Sequence, residues 1–374
     1  MWTWCRPERA GRASPYVLEK RGGRLYGREP PTIRAAVVAL YCLKALKDER
    51  VKCVRKARAI FGAGEEIASD DLKQYFQREA LPELAFTPDA EYGVCNREKG
   101  ILHVELSAPA DGSRLESLHG GTVRNAVAAS ARAEARCTAE ECEALEALSK
   151  KMDGKFSFQW SGGVLTAECA GRAAHAMEPQ KGRNAAARLV RLFSSCFGGE
   201  ALGALWSFVD QKIGLELDGS SLGLRREDAV SGPLTVNLGV AEQDNGVCRA
   251  VLDIRYPVTA DGEEIFERLR AAAGAYGVKA RVLAEQKPLF VPEDTPLIRM
   301  LKGAYETVTG GRAAYGTGGG TYARSLQNRG VAFGPVFPGE ENHLHDADEF
   351  IEIEKFMLHA QICLEALFRM ATQK

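Results

Sequence analysis

No two of the ten cysteines form a CxxC pair, and their scattered spacing argues against a zinc cluster or a secreted disulfide framework. They are expected to be buried free thiols in a reducing compartment. No apolar run approaches the roughly 18 residues that span a bilayer. Net charge is nearly absent too: 49 Lys and Arg face 50 Asp and Glu, leaving -1. That removes the bulk electrostatic case for nucleic acid or an anionic membrane. The opening MWTWCRPERAGRASPY lacks the apolar core and small-residue cleavage site of a secretory signal, so a cytoplasmic location is expected by default. Internal repeats and low-complexity segments are also missing. What remains is an ordinary globular composition, 45% hydrophobic and 26% charged. Its 374 residues exceed the roughly 250–300 at which single cores stop growing, which implies more than one domain.

Helix and strand signals alternate at both ends. Thr32 to Val51 carries apolar residues near 3.6 spacing and reads as a helix. VRKARAIFG reads as a short strand running into a glycine turn, with a helix after it in GAGEEIASDDLKQYF. ELAFTPDA and GILHVELSAP read as further strands. In the middle, TAEECEALEALSKKM and NAAARLVRLFSSCF read as helices, and FSFQWSGGVLTAECAG as antiparallel strands around Gly-Gly. LTVNLGVAEQDNGVCRAVLDIRYP is a hairpin, because Asn245-Gly246 supplies the positive φ angles of a tight turn. DGEEIFERLRAAAGAYG starts with acidic residues, as a helix N-terminus prefers. The tail holds a helix (PLIRMLKGAYETVTG), a Gly-rich turn (TGGGTYAR), a strand (VAFGPVFP), a loop with two histidines and a last helix. An α+β domain inserted into an α/β domain built from both chain ends accounts for this order.

Singly, the reactive residues say little. Glu65-Glu66 is a carboxylate pair at a strand-to-helix turn, where a solvated surface is the ordinary reading. Asp89 in FTPDAEYG resembles a turn aspartate, and His345 in ENHLHDADEF a loop histidine. Together they match a family. Eight segments in order, GAGEEIASDD, LAFTPDAEYGVCNREKGI, GRAAHAMEPQKGRNAA, VNLGV, LDIRYP, GGGTYARSL, VAFGPVFPG and HDADEF, resemble the co-catalytic zinc exopeptidases. That family includes carboxypeptidase G, aminoacylase, acetylornithine deacetylase and the V-type bacterial dipeptidases. The resemblance is greatest to the dipeptidase branch and runs over almost the whole chain.

The resemblance implies roles. Glu65 matches the general base that takes a proton from the metal-bound water. Glu66 and His345 match ligands of the first metal, and Asp89 a ligand of the second. Oxygen and nitrogen donors of this kind suit Zn²⁺ or Mn²⁺, two ions per site in the family. His345 is preferred to His343 because the family's ligand stands four residues before a glutamate, here Glu349. His175 in RAAHAMEP matches the histidine that polarises the scissile carbonyl, an oxyanion-hole role. Arg255 in LDIRYP matches the arginine that holds the substrate carboxylate. Gly318, Gly319 and Thr321 offer backbone N–H groups at a helix start, an anion nest. Asn125 in VRNAVAA is a looser match to a substrate contact. His103, His119 and His359, in strand-like, loop and helix contexts without evident partners, read as structural.

Two family ligands are missing: the histidine of an early HxD motif and the bridging aspartate of GRGxxDDKG. LYGR stands at 25–28, but EPPTIRAA follows it. The genetic code suggests why. Met1 and Trp2 have single codons, and read one base earlier Met1-Trp2-Thr3 gives xAT-GTG-GAC, which is His-Val-Asp when x is C. Pro31-Thr32-Ile33-Arg34, as CCG-ACG-ATA-AGG, shifts in the same way to Asp-Asp-Lys. Frameshifts in the gene or its reading, with a truncated N-terminal part, are therefore expected. A cleft holding two protein ligands at one metal and one at the other falls short of the usual three.

The expectation is thus an α/β catalytic domain with a mainly parallel sheet, residues 1–104 and 286–374, and an α+β lid, 105–285. By resemblance the long lid stands in for a partner subunit, which implies a monomer. The substrate is expected to be a small peptide, and the reaction hydrolysis of dipeptides impaired by the missing ligands. The alternatives are an N-acyl amino acid deacylase of the same family and a catalytically silent remnant.

Overall fold

The computed structural model describes residues 17–27, 30–64, 70–318, 320–340 and 349–373. They divide into two compact units, one holding the described residues up to Glu98 and from Leu289 onward, the other Lys99–Pro288.

The first unit begins with a hairpin of β1 (Glu19–Arg21) and β2 (Arg24–Tyr26), followed by α1 (Pro30–Asp48), where the periodicity predicts a helix. The strand expected in VRKARAIFG does not form. The backbone N–H groups of Val54 and Arg55 bond instead to Ala371 O at the end of the last helix, and Arg55 and Arg58 reach Glu83 and Glu79. Among the described residues no strand stands beside it to offer a ladder, and its backbone donors go to the helix end instead. Then come α2 (Asp70–Arg78), β3 (Ala85–Thr87), β4 (Ala90–Glu91) and β5 (Val94–Glu98).

The second unit is built on one sheet. Its strands are β6 (Gly100–Pro109), β7 (Leu115–Gly120), β8 (Ser130–Arg136), β9 (Lys155–Ser161) and β10 (Val164–Ala170). A small pair, β11 (Glu227–Asp228) and β12 (Gly232–Pro233), stands apart, and β13 (Thr235–Asp244), β14 (Val247–Tyr256) and β15 (Lys279–Gln286) complete the set. Eight of these pair antiparallel in the order β15-β6-β14-β13-β7-β8-β10-β9. The tight turns are those the sequence calls for, with positive φ at Gly162, Gly163, Asn245 and Gly246. Helices α3 (Ala139–Ser149), α4 (Ala185–Phe197), α5 (Gly203–Phe208) and α6 (Gly262–Gly274) complete the layer. Alternation decides the faces: Leu102, Val104 and Leu106 of β6 join Leu252 and Ile254 of β14 in the core with Leu189 and Phe193 of α4. His103, Asp253 and Arg255 point the other way.

The first unit resumes with β16 (Leu289–Phe290), α7 (Pro296–Thr309), β17 (Tyr315–Gly318), β18 (Gly330–Phe333), β19 (Pro335–Val336), β20 (Phe350–Glu352) and α8 (Ile353–Thr372). Its sheet is mixed. β3 with β18, β5 with β17 and β4 with β19 are parallel, whereas β16 and β18 run antiparallel to β5. Val94, Leu297, Leu301, Val331, Phe333 and Ile362 form the unit's core. None of the described cysteines forms a disulfide, and all but Cys53 and Cys196 are buried.

Candidate active site

In the first unit Asp89 follows the C-terminal end of β3, half-buried, its N–H donating to Thr87 O at 3.0 Å. The end of a strand in a parallel pair is where α/β folds place reactive groups. Just ahead of Glu65, the turn at Ala63-Gly64 is pinned from α2. Asp71 Oδ2 accepts the N–H groups of Ala63 (2.7 Å) and Gly64 (2.9 Å) and the Tyr322 hydroxyl (2.7 Å). Burial alone would raise the Asp71 carboxyl, but these donors outweigh it and hold it below the usual range. Gly62 is required here, since a Cβ would lie 2.2 Å from the Tyr322 hydroxyl.

The expected anion nest takes a different form. Gly318 ends strand β17, and the helix after Thr321 is a single 3₁₀ stretch, Tyr322–Leu326. Thr321 donates its N–H (3.3 Å) and hydroxyl (2.8 Å) to the fully buried Glu98 carboxylate, which also pairs with Arg324 at 2.7 Å. The chain's own carboxylate thus occupies the Thr321 donors. Burial raises the Glu98 carboxyl against the pull of Arg324 and Thr321.

In the second unit two loops carry the remaining residues. The segment with Asn125 pairs with the segment holding His175: Ala176 N donates to Asn125 O (2.9 Å) and Val127 N to Ala174 O (2.9 Å). Gly239, at a bulge in β13, permits this loop, since a Cβ there would sit 2.2 Å from Arg124 O. Asn125 and His175 are exposed. His175 Nδ1 accepts the Met177 N–H at 3.1 Å, so in the neutral ring the proton is on Nε2. Partial desolvation lowers the His175 pKa although the residue is exposed, with the Arg255 charge the next cause. Arg255 is buried and held by Asp253, Nε to Oδ1 at 2.6 Å and Nη2 to Oδ2 at 2.9 Å. His103 Nε2 bonds the same Oδ2 at 3.0 Å.

Three readings of histidines change accordingly. His103 has a partner, Asp253, which lies 150 residues away and meets it only through the β6–β14 register. His359 is fully buried, with the Tyr92 hydroxyl 2.8 Å from its Nδ1. His119 lies on strand β7 rather than in a loop. Glu65, Glu66, Gly319, His343 and His345 lie outside the described residues.

The match to the family model Peptidase family M20/M25/M40 extends over residues 4–369. The chain belongs to this peptidase family. It is 32% identical over 374 residues to the protein named Putative dipeptidase YtjP of Bacillus subtilis, covering 96% of this chain and 79% of that one. It is 30% identical to Putative dipeptidase SH1171 of Staphylococcus haemolyticus, covering 90% and 74%. Among solved structures, an M20 family metallo-carboxypeptidase from Sulfolobus solfataricus matches with TM-score 0.53 at 15% identity, over 96% of this chain and 80% of that one. Human carnosine dipeptidase 1 matches with TM-score 0.51 at 12% identity, over 96% and 75%. At such identities the structures share the fold. As an M20 peptidase the chain is a hydrolase of a metallopeptidase family, which implies use of a divalent metal. Among the described residues no three His, Cys, Asp or Glu side chains are grouped to hold a metal ion. The donors expected from the sequence, carboxylates and an imidazole, have the chemistry for such an ion, but Asp89 is the single one of them among the described residues, and alone it makes no site. No described helix is long and apolar enough to cross a membrane.

Proposed function

We propose that this M20 peptidase is a dipeptidase whose metal site is incomplete. The observation that carries the reading is His175. Its Nδ1 accepts the Met177 N–H, and partial desolvation together with the Arg255 charge shifts the ring toward its neutral form. A neutral imidazole with its proton on Nε2 is a donor suited to a carbonyl oxygen gaining negative charge. Glu65 takes the role of general base. Arg255 holds the substrate's terminal carboxylate, with Asn125 and the backbone at Gly318 and Gly319 as further contacts. Thr321 keeps a positioning role through Glu98. Glu66, Asp89 and His345 are the ligands for Zn²⁺ or Mn²⁺. Such an ion, when bound, lowers the pKa of a water molecule and polarises the carbonyl. The relatives named dipeptidases support the substrate class. The second unit's eight-stranded sheet supports a monomer, its length standing in for a partner subunit.

The impairment follows from the opening codons and codons 31–34, which we read as out of frame on either side of LYGR. Arg34 supports that reading. It is buried in α1, none of its guanidinium nitrogens has a hydrogen-bond partner among the described residues, and Glu340, its ion-pair partner, is 3.7 Å away. A buried guanidinium left so unsatisfied costs stability, and it falls where the shifted reading gives the end of Asp-Asp-Lys. The test of the function is a substrate panel on the frame-restored chain with added Zn²⁺ or Mn²⁺. Dipeptides should be cleaved in preference to N-acyl amino acids, and His175→Asn should lower kcat by roughly 10²–10³ with KM little changed. Faster cleavage of N-acyl amino acids, or an unaltered kcat in the variant, contradicts the proposal.

A further inference from the structure

We propose that the second unit carries a separate binding site for a free α-amino acid with an apolar side chain. The site is a cavity of about 350 Å³, within the size range of small-molecule pockets. Every residue that lines it belongs to the second unit. None of the residues assigned to the reaction is among them, so the inference does not depend on the metal site.

Three kinds of surface meet in this cavity. The first is apolar, made by Ile213, Leu215, Leu217, Val236 and Leu238. Leu215 lines it while remaining 45% exposed. An unusual piece of backbone holds this wall: Val209–Ile213 is a π-helical turn, a rare form found frequently at functional sites. It is pinned from α4, where Ser194 Oγ donates to Asp210 Oδ2 at 2.7 Å and Arg191 Nη2 to Asp210 O at 2.9 Å. Gly214 ends the turn at a φ of 52°, and a Cβ there would lie 2.9 Å from Asp210 O. The second surface is cationic. Arg172 and Arg183 face each other across the two ends of the loop that carries His175, exchanging backbone hydrogen bonds of 3.0 and 2.8 Å. Residues so paired bring their side chains together. The Arg172 side chain is exposed and enters no ion pair among the described residues. The third surface is a carboxylate. Asp153 meets Arg183 at 3.1 Å and Arg188 at 3.3 Å, both through Oδ2, which leaves Oδ1 as an acceptor. The cavity's other carboxylate, Glu216, is taken by the Ser221 N–H and hydroxyl.

A simple anion would satisfy the arginines but would meet Asp153 with like charge, and neither uses the apolar wall. An α-amino acid carries its carboxylate and ammonium one carbon apart, so it needs a base and an acid side by side. Arg183 and Asp153, in direct contact, are such a pair, with Arg172 as a second cation for the carboxylate. The side chain of the ligand then lies against Leu215, Leu217 and Leu238.

The test is isothermal titration calorimetry of the full chain with four probes: leucine, leucinamide, 4-methylpentanoate and serine. They keep all three features or lack, in turn, the carboxylate, the ammonium and the apolar side chain. Leucine should bind at least several-fold more tightly than each of the others. Arg183→Gln and Leu215→Asp, on opposite walls, should each weaken leucine about tenfold or more, as loss of a charge-assisted contact or of an apolar one beside a new charge gives. Both substitutions fall at side chains that reach the surface. Thermal melts without ligand show whether each variant folds, and Leu215→Asp decides the matter if Arg183→Gln does not. Unchanged leucine affinity in the folded variants would place the amino acid elsewhere and overturn the proposal. So would 4-methylpentanoate binding as tightly as leucine, which removes the role of Asp153, or a parent chain that binds none of the four.

Discussion

His359 shows how one buried residue ties stability to pH. Burial lowers its pKa to about 3, and the nearby Arg34 charge adds to that effect. The Tyr92 hydroxyl and the Cys363 thiol are its other neighbours. In the unfolded chain the ring regains an ordinary pKa near 6.5. The folded value is the lower one, so the unfolded state binds more protons between these limits. Stability is intact above about pH 6.5 and is lost as the pH falls toward 3. Between pH 6.5 and 5 the parent should lose about 2 kcal/mol more than His359→Gln, read from urea midpoints at the two pH values. Equal losses would show that the ring does not titrate this way. The sequence marked the histidines but not their surroundings. Arg255 was singled out through LDIRYP, and the spacing of Asp253 two residues before it was there to be read, because alternate strand residues share a face. His103 was not, since only the register of two distant strands brings it to Asp253.

Elements were read best where local chemistry decides them. The capping box of α3 is one case: Thr138 Oγ1 accepts the Glu141 N–H at 3.3 Å and Glu141 returns an acceptor to the Thr138 N–H at 2.9 Å. Thr138→Ala should cost about 1 kcal/mol in chemical denaturation, and no measurable change would mean that the Arg114 contact to Glu141 carries this end of the helix by itself. The Asn245-Gly246 hairpin is another. The VRKARAIFG strand failed because a strand exists only where a neighbour offers a ladder, and here the partner is a helix end. The bulge at Gly239 was invisible for the same reason, although the glycine itself lies in the VNLGV motif. Gly239→Ala should destabilise by about 1–3 kcal/mol, because its methyl group would run into Arg124 O. It should also weaken dipeptide binding by moving the Asn125 loop. A variant as stable as the parent would show that the loop yields freely.

Across the whole molecule the sequence motifs pointed to the family before any geometry, and the mixed α/β architecture followed from it. Residues 99–288 carry their own sheet and a core of residues drawn from within that span. Expressed alone, this unit should fold cooperatively, with a single urea transition and native near-ultraviolet circular dichroism. A molten, uncooperative unit would mean that the flanking unit supplies part of its stability. The arrangement of the catalytic residues was less legible. Thr321 matched a substrate-binding pattern, yet its donors are taken by Glu98, a residue that drew no notice because a buried carboxylate in a strand cannot be told from an exposed one by sequence.

The incomplete metal site is the claim most exposed to test. Two proteins are compared: the chain as written and one from a gene re-read one base earlier at its opening codons and at codons 31–34, with the frame of LYGR kept. Each is analysed for metal by elemental analysis and assayed on dipeptides with Zn²⁺ or Mn²⁺. The restored protein should hold a pair of metal ions and turn over, while the chain as written should hold fewer and be slower by more than about 100-fold, beyond what loss of a group behind the ligands costs. Equal metal content and equal turnover would contradict the account and would place the missing ligands on residues such as Glu8 or Glu29, nearest the shifted codons.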